Sequence, residues 1–271
     1  MSSKANKRFW EDLTSFDFAN MNAENHLIVL PVAAVEQHGP HLPVGVDAKI
    51  LDGIIELVCK ELPNESNAIF LPTLRIGKSN EHLEYSGTLS LSMETLYSTL
   101  LDIGSSVYSS GFKKFAFLNS HGGNISILDI AAREFRVRHK LLVFNINWFG
   151  LGMPESVYSE KELRHGIHAG DLETSVMLAL EPENVKMELA QNFIPQTVQL
   201  EKSYKHIGLT SGAKIGWQAQ DLNAYGACGN ASIANAKKGE LTLDFVCKRL
   251  LETIKEIEEM TLAFVSDETR K

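Results

Sequence analysis

The chain has 271 residues, 44% of them hydrophobic, which is enough to bury one substantial core, yet it holds no run long enough to cross a bilayer. A formal net charge of −8 argues against a basic nucleic-acid-binding face, and three cysteines (Cys59, Cys228, Cys247) without a C-x-x-C pair imply no disulfide framework. The polar, basic opening residues have no apolar run after them, so no secretory signal is expected and the expected location is the cytoplasm.

In chain order, residues 10–13 read as a short helical stretch. The run Leu27–Val32 is continuously apolar rather than alternating, which predicts a strand covered on both faces. Asp47 then opens a helical pattern with Ile50, Leu51, Ile54, Ile55 and Val58 on one face. Residues 68–72 are a second strand candidate, and residues 93–108 carry helical periodicity behind a capping Ser92. Residues 115–118 form the third predicted strand. Asn124 is expected to cap a helix through Arg136, and residues 141–148 give the fourth strand. A helix over 171–180 is stopped by Pro182. A last, long helix begins near Ala231, with Leu243, Cys247, Leu250, Ile254 and Ile257 three or four residues apart. Strands alternating with helices of this size predict one α/β domain over residues 1–271, with a mostly parallel central sheet and helices on both faces. Residues 183–225 have weaker periodicity and scattered glycines, and read as a β-rich excursion or an oligomer contact.

The chemistry-bearing residues fall in three loops. Glu36-Gln37-His38-Gly39-Pro40-His41 follows the first strand and leads to Asp47. Asn119-Ser120-His121-Gly122-Gly123-Asn124 follows the third strand, and a stretch from His165 to Thr174 containing His168 and Glu173 precedes a helix. In open parallel sheets ligands bind beyond the carboxyl ends of the strands, where the first two loops lie. Imidazole and carboxylate without thiolate suit zinc, manganese or iron in a hydrolytic centre. Glu36 and His38 stand two apart, so an extended backbone sends both side chains to the same side. A lone loop histidine is most often merely hydrogen-bonded, and His26 and His206 are read that way. His41 is read as a cap on the Pro40 turn, and Glu81 with His82 as a surface pair. Other signatures fail: Gly77-Lys78-Ser79 resembles the end of a phosphate loop, but Pro72 stands where its first glycine belongs. No G-x-S-x-G elbow and no H-E-x-x-H are present.

Val35 to Pro43 followed by Asp47 resembles the N-terminal signature of the creatininase (creatinine amidohydrolase) family. Asn119 to Asn124, His168-Ala169-Gly170 with Glu173-Thr174-Ser175, the Glu81-His82 and Gly87-Thr88 region, and the stretch from Gly226 to Gly239 (with Asn230 where an acid is common) continue the resemblance in order. It implies a Rossmann-like three-layer fold, a homo-oligomer (commonly a hexamer) and two divalent ions, zinc with manganese or iron as options. By resemblance Glu36 and His121 bind one ion, His38 the other, and Asp47 bridges them. Creatininase has tyrosine and a ligating glutamate where this chain has Gly122 and Gly123, and Glu173 is taken as the substitute ligand. Arg164 stands where creatininase has a substrate-contacting tryptophan, and Trp148 matches a second pocket tryptophan. Ser79, Gly122, Gly123, Trp148 and Arg164 are the expected substrate-binding set, although Arg164 also reads as a plain surface arginine. These departures leave the substrate open within the family.

The activity so implied is hydrolysis of a C–N bond in a small cyclic amide or formamide by a metal-bridging hydroxide. Backbone N–H groups near Gly122 and Gly123 are expected to receive the oxyanion, and His168 is the expected general acid. The alternatives are a peptidase or cyclic sugar-ketone hydrolase of the same family, and a metal-binding scaffold without turnover.

Overall fold

The computed structural model describes residues 7–265. Its centre is a four-stranded parallel sheet formed by β1 (Leu27–Val32), β2 (Ala68–Phe70), β3 (Lys114–Asn119) and β4 (Leu142–Asn147), in the order β2-β1-β3-β4. All six residues of β1 and all six of β3 are buried, as unbroken apolar runs require when helices cover both faces.

Successive strand residues point to opposite faces, and the two halves of the core follow that alternation. On one face Leu27, Val29, Ala116 and Leu118 pack under α2 (Val46–Glu61), α6 (Asp171–Leu180) and α9 (Ala236–Glu259). On the other, Ile28, Leu30, Phe115 and Phe117 pack under α3 (Met93–Ser109) and α4 (Ile125–His139). The three-layer expectation is thus met, strand by strand and face by face. The short helix α1 (Ser15–Asn20) precedes β1 and is closed by a Thr14–Asp17 capping box.

Helix ends are held by named groups. The Ser92 hydroxyl accepts from Thr95 N at 3.1 Å, as expected, and the Asn235 side chain accepts from Lys238 N at 3.1 Å to start α9. That helix begins five residues after Ala231, because residues Ala231–Ile233 form a separate 3-10 turn. Lys114, at the buried start of β3, donates to the α9 carbonyls of Ile257 (3.1 Å) and Glu258 (2.5 Å). Asn124 does not cap α4 with its side chain. It donates to Ala33 O (3.1 Å) and accepts from Lys78 N (3.0 Å), stitching three loops together.

Residues 183–225 are a mixture of short pieces rather than a β-rich excursion. After α5 (Glu160–His165) and α6 come β5 (Asn192–Phe193), α7 (Thr197–Ser203), β6 (Ile207–Gly208), β7 (Ala213–Lys214) and α8 (Ala219–Leu222). β5 pairs antiparallel with β8 (Gly229–Asn230), which folds this excursion back beside the loop that carries His168. Among the described residues no helix is long and apolar enough to cross a membrane.

Candidate functional site

With strand order β2-β1-β3-β4, the connections leave β1 and β3 in opposite directions along the sheet. A crevice therefore opens between their carboxyl ends. After β1, Glu36 N donates to Val44 O at 2.8 Å, which closes residues 36–44 into a loop that re-enters at α2. Gly39 turns this loop with φ +68°, and a Cβ there would sit 3.0 Å from that of Ala227. Both demands select glycine. Asp47 lies in the first turn of α2, where the helix dipole favours a carboxylate. After β3, Asn119 grips its own loop: its Oδ1 accepts from His121 N at 3.1 Å and its Nδ2 donates to His121 O at 2.7 Å. His168 precedes Ala169, a non-glycine residue at φ +54°, and Ala169 N donates to the Glu173 carboxylate at 2.5 Å. An L-residue held in that left-handed region marks a backbone constrained by its surroundings.

These three loops bring six side chains together in three overlapping sets, one of them Glu36, His38 and His168. Glu36, Asp47 and His121 offer ligand atoms all within 4.8 Å of one another, and so do His38, Asp47 and Glu173. Asp47 belongs to both, and its two oxygens divide between them. Oδ2 lies 3.5 Å from His121 Nδ1, and Oδ1 lies 3.6 Å from His38 Nε2. Glu36 Oε1 is 3.2 Å from His121 Nδ1, and Glu173 Oε2 is 3.9 Å from His38 Nε2. His168 adds Nδ1 at 3.7 Å from Glu36 Oε1.

The far side of each imidazole is tied to backbone. His38 Nδ1 donates to Glu36 O (2.9 Å), His121 Nε2 to Lys78 O (3.0 Å) and His168 Nε2 to Gln37 O (2.7 Å). In the neutral ring each such bond fixes the tautomer and leaves the other nitrogen as a lone pair turned into the cluster. Glu36 Oε2, His38 Nε2 and Asp47 Oδ2 are buried with no hydrogen-bond partner. Buried polar atoms are otherwise almost always paired, so this concentration of three orphans fits donors arranged around divalent cations.

The electrostatics reflect the crowding of acids and imidazoles in the cluster. Burial would raise the Glu36 carboxyl, but His121, aided by His82 and His168, holds it well below the usual carboxylate range. Burial lowers His38, yet Asp47, Glu173 and Glu36 raise it to about 9, and Glu36 and Asp47 likewise lift His121 against its burial. Burial and the neighbouring acids push Asp47 up, and Glu173 up to about 7. Burial, His38 and His82 keep His168 well below its ordinary value, hence neutral with a free Nδ1.

Five expectations meet a different geometry. His82 and Glu81 are not a surface pair: His82 is 2% exposed, its ring centroid is 4.4 Å from that of His168, and its Nε2 is 3.5 Å from Glu36 Oε1. Glu81 Oε1 lies 3.5 Å from His121 Nε2 and occupies the space a Cβ on Gly123 would need. His41 does not cap a turn. It is buried, with Nε2 2.9 Å from Thr174 Oγ1 and its ring stacked on Phe193. Arg164 is not drawn into the cluster but pairs on the surface with Glu201. Trp148 is buried in the core on the α2, α6 and α9 side of the sheet, and Ser79 is wholly buried with Oγ 3.3 Å from His121 Nε2. Gly122, by contrast, has open space where a side chain would begin. The sequence signal for His82 was its place in the Glu81-His82…Gly87-Thr88 block, since a histidine's burial is not written in local periodicity.

The family model described as creatinine amidohydrolase matches residues 11–254. A mycofactocin precursor peptide peptidase of Mycolicibacterium smegmatis is 27% identical over 216 residues, covering 79% of this chain and 82% of that protein. A creatinine amidohydrolase of Pseudomonas putida is 28% identical over 255 residues, covering 88% and 92%. A 3-dehydro-scyllo-inosose hydrolase of Thermotoga maritima is 25% identical over 246 residues, covering 86% and 78%. Among solved structures, a manganese form of creatininase superposes with a TM-score of 0.76 at 24% identity, over 94% of this chain and all of that one. The match to the family model over nearly the whole described length, with these relatives and this fold, decides the assignment. The chain belongs to the creatininase (creatinine amidohydrolase) family of metal-dependent amidohydrolases.

Proposed function

We propose that the chain hydrolyses an amide C–N bond at a pair of divalent cations, one held by Glu36, Asp47 and His121 and the other by His38, Asp47 and Glu173. The observation that carries this reading is the division of the two Asp47 oxygens between two donor sets. Bound there, a divalent ion polarises a carbonyl and lowers the pKa of water from ~15.7 to ~7. Zinc, manganese and iron(II) all accept this donor set.

The protein's own groups supply the rest. His168, neutral and with Nε2–H committed to Gln37 O, takes up at Nδ1 the proton lost by the attacking water and delivers it from the same atom to the leaving nitrogen as the C–N bond breaks. Glu173, the most exposed of the six at 18% of its side chain, stands at the solvent side of the cluster. The first N–H groups of the 3-10 turn Gly122–Asn124 have no acceptor within that turn and would receive a developing oxyanion.

Two features favour peptide-like over small cyclic amides. Gly122 leaves open space beside His121, and relatives named as peptide peptidases stand beside the creatinine amidohydrolase. Turnover of creatinine, hydantoins, lactams, formamides and short peptides by the zinc- and manganese-loaded protein tests the reading. Cleavage of peptides but not creatinine is the expected pattern. No turnover of any amide by protein with two bound ions would refute it.

A further inference from the structure

We propose that His82 is a positioning residue: its Nε2–H, directed at the Glu36 carboxylate, fixes the orientation of that group, with the side-chain amide of Gln37 selecting the required tautomer. The inference rests on the reading that Glu36 holds an ion. It adds a residue that touches neither cation nor substrate.

One amide sets the proton. Gln37 Oε1 accepts from Gly39 N at 2.9 Å, so the opposite end of that amide is Nε2, a donor. Nε2 donates to Gly226 O at 2.9 Å and faces His82 Nδ1 at 2.7 Å, while its third neighbour, His168 Nε2 at 3.3 Å, already donates to Gln37 O and cannot accept. Both of its hydrogens are then committed, and His82 Nδ1 must be the acceptor. Neutral imidazole carries one N–H, which is therefore on Nε2, 3.5 Å from Glu36 Oε1.

His82 is also held in place from several sides. Its ring lies 4.4 Å from His168, which lies 4.2 Å from His38, so three imidazoles form one row of rings tilted by 34° and 35° to one another. Its carbonyl accepts from Thr88 Oγ1 at 3.2 Å, and that hydroxyl oxygen in turn accepts from Gln37 N at 3.1 Å. The backbone of Gln37 thus sets the donor loop, while its side chain sets the tautomer. His168 faces the same Glu36 oxygen with the opposite tautomer, a lone pair at Nδ1. One ring anchors the carboxylate and the other remains free to take a proton.

The test measures zinc affinity on the full-length protein by chelator competition, alongside kcat and KM. His82→Phe should weaken one of two zinc sites by about tenfold to a hundredfold and leave the other unchanged, the usual effect of removing a side chain that orients a metal ligand. His82→Gln, which presents an N–H from a similar reach, should recover most of that loss. Gln37→Glu should move the His82 proton to Nδ1, visible in the ring 15N shifts, and weaken the same site. This second variant is decisive if His82→Phe does not fold. Two zinc affinities within twofold of the parent in folded His82→Phe, or in Gln37→Glu, would overturn the proposal. Glu36→Gln separates the layers: if it keeps both zinc sites, the ligand reading fails at Glu36 itself and the positioning role falls with it.

Discussion

Asp47 presents its two oxygens to different partners, and that makes it the residue whose loss reaches furthest. Asp47→Asn is expected to lower bound metal from two ions to fewer than one per chain. His38→Ala and Glu173→Gln should each remove only one. Elemental analysis after gel filtration reads the difference, and kcat/KM in Asp47→Asn should fall by well over the ~100-fold typical of a mere supporting contact. Equal metal loss in all three variants would contradict the sharing of Asp47. His41 gives a second residue-level prediction. Burial, then the charge of His38, holds its folded pKa down to about 4, below the ordinary 6.5. Between those values the unfolded chain binds a proton that the folded chain refuses. Stability is therefore full above pH 6.5 and declines as pH falls towards 4, by about 3 kcal/mol at most. Urea unfolding at about pH 7 and about pH 4.5 should show a shallower pH dependence in His41→Gln than in the parent. An unchanged dependence would remove His41 from the account.

Where two helices touch through glycine, the backbone itself sets the limit. Gly239 on α9 faces α6 so closely that a Cβ would overlap the Ser175 carbonyl oxygen, a backbone atom that cannot swing away. Gly104 on α3 is met instead by the Phe135 ring of α4. Gly239→Ala must push α6 and α9 away from each other, whereas Gly104→Ala asks one buried ring to shift. Overpacking of this kind costs about 1–3 kcal/mol, with Gly239→Ala expected at the upper end and Gly104→Ala below it. Thermal melts of the two variants check the order, and a reversed order would show that α3–α4 is the stiffer contact. Length also separates the elements that the sequence announces from those it hides. β1, β3, α2, α3 and α6 were legible because each carries a long apolar run or face that only one periodicity fits. α5, α7 and α8 span four to seven residues, too short to show a period, and the excursion over residues 183–225 is built of such pieces. Glu36, His38, Asp47 and His121 were legible as candidates because their loops follow strands. The burial of His82 depends on how the loops after β1 and β2 meet, which no local pattern records.

At the scale of the molecule, the candidate centre is where separate stretches of the chain are joined. Glu36 and His38 arrive from β1, His121 from β3, Asp47 from α2, and Glu173 from α6, so each donor set ties a sheet loop to a helix of the same layer. Three buried or half-buried carboxylates crowd there, and burial pushes two of them, Asp47 and Glu173, towards their neutral forms. A cation bound to the folded chain alone relieves that crowding and stabilises the fold by RT ln(1 + [L]/Kd), about 4 kcal/mol for each ion present at about 1,000 times its Kd. For a chain of this size about 1 kcal/mol moves Tm by about 2–4 °C, so stripping both ions should lower Tm by on the order of 10 °C or more. The protein should regain that Tm on adding zinc or manganese but not magnesium, which favours an all-oxygen shell over imidazole. Asp47→Asn should melt at nearly the same temperature with and without chelator, because it has little bound metal to lose. Parent protein that melts equally with and without chelator would show that its loops hold the acids together without a cation. The division of Asp47 between two donor sets would then be a feature of packing rather than of metal binding.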